Sequence, residues 1–121
     1  MSGKSVIVSE FIQAWNAMDL EAIMGHFTDD AVYINMPMEP ANEGKTAIRA
    51  FIDGFMGSCS AMEFTIHHQV DSGDGVVMNE RTDRITMGDK VVELPVMGVF
   101  EFEGDKIRAW RDYFDMAAFQ G

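Results

Sequence analysis

The sequence predicts an α+β fold: a strongly curved, mixed β-sheet closing into a cone, with about three helices from the N-terminal half packed on it, in the order ααβαββββ. Three observations carry this. Apolar residues recur at helical spacing as far as Phe55, the period then changes to two, and the later runs are separated by short Gly/Asp loops of the hairpin kind. With 121 residues, 47% of them hydrophobic, the chain suits one domain over residues 1–121.

Val8, Phe11, Ile12 and Trp15 mark an amphipathic helix over roughly residues 5–17. A second, short helix follows with Asp19 as N-cap and Leu20, Ile23, Met24 and Phe27 as its apolar stripe, broken at Thr28-Asp29-Asp30. Ala31 to Asn35 reads as a short strand stopped by Pro37 and Pro40. Gly44-Lys45-Thr46 opens a third helix, whose Ile48, Phe51, Ile52 and Phe55 fall at i, i+3, i+4 and i+7. Strand runs over about 62–71, 76–87, 90–102 and 106–114 then make an antiparallel meander, joined at Ser72-Gly73-Asp74-Gly75, Gly88-Asp89 and Gly104-Asp105.

Composition removes several functions. Twenty Asp and Glu against nine Lys and Arg, a formal charge of −11, oppose the binding of a phosphate backbone, so nucleic acid is not an expected partner. No apolar stretch reaches the roughly 20 residues that cross a bilayer, and Met1 to Ser5 leads directly into the segment containing Glu10, so a soluble chain without a signal peptide is expected. The single Cys59 has no partner for an intrachain disulfide, in keeping with a cytoplasmic location. Gly44-Lys45-Thr46 lacks the upstream P-loop glycine, since position 39 is Glu39. His67 and His68 point to opposite faces of a strand and His26 has no ligand at a matching offset, so no metal is expected.

The informative pattern is which polar residues share a face. On the second meander strand Val77, Asn79, Arg81, Asp83, Ile85 and Met87 alternate with Glu80, Thr82, Arg84 and Thr86, so one face is apolar at both ends with an amide, a cation and a carboxylate between. On the last strand Arg108, Trp110, Asp112 and Phe114 share a face, and on the first Tyr33 and Asn35 do. If these faces are inward, two carboxylates share one guanidinium. One carboxylate is then held ionised and the other is pushed toward its protonated form, which supplies a base and an acid at one pH. If they are outward, Arg81 and Asp83 form an ordinary exposed ion pair, and alternation alone does not say which face is inside.

Tyr33-Ile34-Asn35-Met36-Pro37, Glu80-Arg81-Thr82-Asp83, Gly98-Val99-Phe100 and Trp110-Arg111-Asp112-Tyr113-Phe114-Asp115 together resemble the limonene-1,2-epoxide hydrolase family. That family lies in the NTF2-like superfamily beside ketosteroid isomerases and SnoaL-like polyketide cyclases, and the resemblance runs from about Ser5 to Phe119. It implies an epoxide hydrolase in which Asp112 is the base, Asp83 the acid, Arg81 the bridge between them, and Tyr33 and Asn35 hold the attacking water. It further implies one-step formation of a vicinal diol with neither covalent intermediate, cofactor nor metal, and a homodimer. Phe55, Ile85, Leu94, Val96, Phe114 and Phe119 match the wall of a pocket for a small lipophilic epoxide, with Met36 and Met38 at its mouth. The competing expectations are an isomerase or cyclase on the same cone and a non-catalytic small-molecule-binding module.

Overall fold

The computed structural model describes residues 3–38 and 40–119, so the ends of the chain and Glu39 lie outside the described residues. Helix α1 (Gly3–Asn16) buries the expected stripe of Val8, Phe11, Ile12 and Trp15. Phe11 is the hub of the core, with its ring edge-on to Trp15, Phe27, Phe100 and Trp110 at centroid separations of 5.0 to 6.5 Å. Helix α2 (Leu20–Met24) starts at the Asp19 cap, whose side chain accepts the Ala22 N–H at 3.1 Å.

Helix α2 is shorter than the apolar stripe suggests. Phe27 belongs to strand β1 (Phe27–Asn35), which begins four residues before the expected Ala31. Tertiary pairing overrides the helical period here: the Ile107 N–H bonds the His26 carbonyl at 2.7 Å and Phe27 pairs with Ile107. The polar Thr28-Asp29-Asp30 sits in the irregular stretch of the ladder between Phe27 and Val32, where it is largely outside the core. A two-residue strand β2 (Asn42–Glu43), absent from the sequence expectation, pairs with β1 before helix α3 (Lys45–Gly57). Ile48 and Ile52 of α3 are fully buried, while Phe51 and Phe55 are half-buried and face a cavity.

The meander falls close to its expected boundaries as β3 (Ala61–Asp71), β4 (Val76–Met87), β5 (Lys90–Glu103) and β6 (Lys106–Tyr113), with a short 3-10 helix at Met116–Phe119. The sheet order is β2-β1-β6-β5-β4-β3, antiparallel throughout except for β1 beside β6, which run parallel. Two irregularities in register re-aim side chains. Between Ile66 and His68 an extra residue in β3 shifts the inward set from Met62, Phe64 and Ile66 to Gln69, and both His67 and His68 are exposed. Between Glu101 and Phe102 the register also slips, so Ile107 and Trp110 both point inward and Arg108 does not. Arg108 therefore does not share the face of Trp110 and Asp112; it is exposed and paired with Glu101 at 2.8 Å.

β3 is an edge strand, and α1 docks on it through Asn16: its side-chain amide donates to the Phe64 carbonyl at 3.2 Å and accepts the Phe64 N–H at 2.6 Å. The main core lies between the helices and the inner sheet face, and a second cluster of Val92, Leu94 and Val96 packs with Phe114, Ala118 and Phe119. Among the described residues no helix is long and apolar enough to cross a membrane. Because Ile52 is fully buried in α3, Ile52→Ala is expected to cost about 2–5 kcal/mol, read as a lower urea midpoint at an unchanged slope.

Candidate active site

The two apolar clusters leave a cavity of about 220 Å³ between them. Aromatic rings make much of its wall: Trp15 is stacked on Phe64, and Tyr33 lies face to face with Trp110 at 4.2 Å and 7°. The polar side chains that reach it are Tyr33 and Asn35 from β1, Asp83 from β4 and Asp112 from β6. β1 and β6 are brought together by their parallel pairing, in which Tyr33 stands opposite Trp110 and Asn35 opposite Asp112.

Arg81 ties the two acidic strands together. Its Nε and Nη2 donate to Oδ1 and Oδ2 of Asp83 at 3.0 and 2.9 Å, a bidentate fork. Nη2 also donates to Asp112 Oδ2 at 2.8 Å, and Nη1 to Asp112 Oδ1 at 3.3 Å. The remaining Nη1 hydrogen goes to Asn79 Oδ1 at 3.0 Å, so each of the five guanidinium donors has an acceptor. Asp112 takes a third donor, the Trp110 indole N–H, at 2.7 Å. The Arg81 side chain is completely buried and those of Asp83 and Asp112 are 6% exposed, so the pair is internal and not the exposed one that alternation leaves open.

Burial is the main electrostatic influence. It raises the Asp83 carboxyl above its ordinary value; Arg81 opposes that rise, and the nearby Asp112 adds to it. Burial, reinforced by Asp112, likewise raises the Tyr33 phenol well above its usual range, so it stays neutral and donates to Asn35 Oδ1 at 3.2 Å. Arg81 is raised by its two carboxylates against the cost of burial and remains a cation. With both carboxyls ionised, one fixed positive charge faces two negative ones in this buried set.

All five polar residues singled out from the sequence, Tyr33, Asn35, Arg81, Asp83 and Asp112, thus meet at one place. Of the apolar set, Met38, Phe55, Ile85, Leu94, Val96, Phe114 and Phe119 line the cavity. Met36 does not. It follows the last residue of β1, its backbone N–H bonds the Asp112 carbonyl, and the residue is 38% exposed.

Three further residues belong to the set. Asn79 shares the Arg81 face, and its amide supplies the fifth acceptor. Trp110 both stacks on Tyr33 and hydrogen-bonds Asp112. Gly98 stands in register between Asn79 and Asp112, where a Cβ would sit 2.6 Å from Arg81 Nη1 and 2.8 Å from Asp112 Oδ1. The signal for Gly98 in the sequence is a glycine in a strand interior, which marks close approach of other groups to the backbone. Away from this site, among the described residues no group of three or more His, Cys, Asp or Glu is placed to hold a metal ion.

Residues 8–110 match the SnoaL-like domain family. The chain is 32% identical over 112 residues to epoxide hydrolase EphG of Mycobacterium tuberculosis, an alignment that covers 90% of this chain and 71% of EphG. The structure of an LEH-like epoxide hydrolase from M. tuberculosis superposes with a TM-score of 0.85 at 30% identity, over 97% of this chain and 86% of that one. SalBIII, an epoxide hydrolase/cyclase-like enzyme of pyran ring formation in the polyether salinomycin, shares the fold with a TM-score of 0.84 at 21% identity, over 95% of this chain and 92% of its own. An alignment spanning the helices and the meander, together with a three-helix, curved-sheet architecture common to these proteins, leads to one assignment: the chain belongs to the SnoaL-like domain family, has the NTF2-like fold and is a relative of epoxide hydrolases.

Proposed function

We propose that the protein is an epoxide hydrolase that adds water to a small lipophilic epoxide in one step and releases a vicinal diol. The observation that carries this reading is the single buried Arg81 bridging two carboxylates on the wall of an otherwise apolar cavity. Epoxide opening at neutral pH needs an acid on the departing oxygen and an activated water on the opposite side, and the two carboxylates supply one of each.

The roles follow from the donors each carboxylate receives. Asp112 accepts three N–H groups, from Arg81 Nη1 and Nη2 and from Trp110, a setting that fits an acceptor-only anion and hence the base. Asp83, whose carboxyl burial raises, is the acid. A water between Asp112, Tyr33 and Asn35 can donate one hydrogen to Asp112 and the other to the Tyr33 oxygen, and accept from the Asn35 amide, which leaves one lone pair free to attack. As the C–O bond forms, Asp112 takes the water's proton. As the ring C–O bond breaks, Asp83 gives its proton to the oxygen, and the diol leaves with the enzyme carrying the proton on the other carboxyl. Arg81 keeps both carboxylates oriented throughout, and transfer of that proton through solvent or product restores the starting state.

This chemistry forms no ester with the protein and calls for no cofactor. The cavity suits a cyclic or aliphatic epoxide of the limonene-1,2-epoxide type, held by Phe55, Ile85, Leu94, Val96, Phe114 and Phe119. An isomerase or cyclase on the same fold needs donors aimed at an enolate oxygen, and Arg81 is not one of them, because each of its N–H groups is already committed to Asp83, Asp112 or Asn79. The outer sheet face exposes Val70, Met78, Met97 and Tyr113, with Val70 beside Met78 and Met97 beside Tyr113 across the ladders, and we assign this apolar area to a homodimer. A reducing cytoplasm accords with the single free Cys59.

Diol formation from limonene-1,2-epoxide and cyclohexene oxide tests the reaction: the native protein is expected to turn over at least one, and Asp112→Asn and Asp83→Asn, each shown to be folded, to lose about 100-fold or more. No diol from either epoxide with native protein refutes the hydrolase reading, and exchange of a ketone's α-proton in its place supports the isomerase. The pH dependence has a definite sign. An acid whose carboxyl is raised by burial keeps its proton to higher pH than an ordinary aspartate, so kcat/KM should fall on the alkaline side as Asp83 deprotonates, and Asp83→Asn should abolish that limb along with the rate. Light scattering should give twice the 13.5 kDa chain mass; a mass of one chain at working concentration removes the dimer.

A further inference from the structure

The catalytic set is held from behind by two amides that take no part in the proposed chemistry. We propose that Gln69 and Asn79 form a relay that carries the polarity of the Ser5 carbonyl in helix α1 to the Arg81 guanidinium, and that both act as positioning residues for Asp83 and Asp112. The catalytic part of this proposal rests on the hydrolase reading; the positioning part rests on geometry alone.

The direction of the relay is fixed at its far end. A backbone carbonyl only accepts, so the Ser5 oxygen, 3.0 Å from the Gln69 side chain, must face the Gln69 amide nitrogen, which also lies 3.3 Å from Ser9 Oγ. That places Gln69 Oε1 toward Asn79, whose Nδ2 donates to it at 3.1 Å. Asn79 is then left with only its oxygen for Arg81, and Nη1 donates to that oxygen at 3.0 Å. Each amide has one orientation that satisfies both neighbours. Asn79 is 1% exposed, which leaves no bulk water to take over from a missing partner.

Two features of the backbone serve this chain of bonds, the second of them shared with the Arg81–Asp112 contact. Without the extra residue between Ile66 and His68, Gln69 would fall on the outer face with Thr65 and His67; with it, Gln69 turns inward and pairs with Asn79. Gly98, opposite Asn79 on β5, leaves the space in which Asn79 Oδ1, Arg81 Nη1 and Asp112 Oδ1 converge, each within 3.1 Å of where a Cβ would stand.

The consequence for catalysis is positional. Asp83 and Asp112 engage Arg81 through Nε, Nη2 and one hydrogen of Nη1, and Nη2 alone bridges both. Asn79 takes the hydrogen the carboxylates leave, which fixes the plane of the guanidinium and keeps Nη2 between them. If the Asn79 amide turned over, its NH₂ would face the Nη1 N–H, donor against donor, and the guanidinium would be pushed off its bridging position.

The test compares Gln69→Leu, Gln69→Met and Gln69→Glu with native protein, using full-length chains. Gln69 is half-buried and touches neither carboxylate, so the unbranched Met gives a second apolar variant should Leu disturb the strand. With limonene-1,2-epoxide or cyclohexene oxide, Leu and Met should lower kcat about tenfold and leave KM within about twofold, because the cavity wall is untouched and only the acid–base geometry moves. Nitrogen-15 NMR should show the Arg81 side-chain N–H signals shifted and exchanging with water about tenfold faster in both. Gln69→Glu keeps an oxygen toward Asn79 but sets a carboxylate oxygen against the Ser5 carbonyl, so it should be impaired when ionised and should bring the Arg81 signals back toward native as pH falls and the protonated side chain again donates to Ser5.

Native kcat together with native Arg81 signals in Leu or Met would falsify the relay. So would a Glu variant whose Arg81 signals stay as displaced as in those two when its carboxyl is protonated, since packing alone would then account for the loss. If native protein turns over neither epoxide, it is the hydrolase reading that fails, and the Arg81 signals in the same three variants still decide the relay.

Discussion

A guanidinium and two carboxylates taken out of water are the constraint around which this molecule is built. An isolated buried charge costs several kcal/mol, and the cost is offset only when every donor and acceptor is matched. Arg81 meets that condition with five donors and five acceptor contacts drawn from β4 and β6. Two carboxylates against one cation leave an excess of negative charge in an apolar surround when both are ionised. In the proposed reaction that imbalance supplies an acid and a base side by side.

The architecture can be read as the means of bringing those strands together. β4 presents Asn79, Arg81 and Asp83 on one face, β5 passes beside it with Gly98 at the point of closest approach, and β6 delivers Asp112 from the other side. The parallel pairing of β1 with β6 then sets Tyr33 on Trp110 and Asn35 beside Asp112. Helix α1 covers the set, with Trp15 stacked on Phe64 and Ser5 anchoring Gln69. Stability and function draw on the same contacts here: Trp110 is at once a core ring, the platform for Tyr33 and a hydrogen-bond donor to Asp112.

Legibility varied from residue to residue for physical reasons. The alternation on β4 is strict, so Arg81 and Asp83 could be placed on one face from the chain alone, and the meander boundaries followed from Gly/Asp turns. Where a strand carries an irregularity, simple alternation misplaces side chains: it sets Arg108 beside Trp110, and it would set Gln69 outward with Thr65 and His67. Phe27 continued a helical stripe yet is a strand residue, because its partner Ile107 lies 80 positions away, outside any local window. The polar constellation at the site gained its specificity from resemblance, since charges on a strand are usually solvated.

The sequence by itself determined most of the elements, the residue types and the periodicity: three helices and one short strand as far as Phe55, a meander of strands afterwards, and an Arg-x-Asp on one face of a strand with a second Asp between Trp110 and Phe114. Those properties depend on local backbone geometry and near neighbours, which a sequence states directly. Only the tertiary structure decided that this face is inside, that Arg81 reaches both carboxylates, that Gly98 makes the room and that Asn79 and Gln69 complete the set. Which side of a curved sheet the helices cover, and where a strand gains a residue, depend on pairings between distant segments whose energies are settled together and cannot be assigned to any one of them.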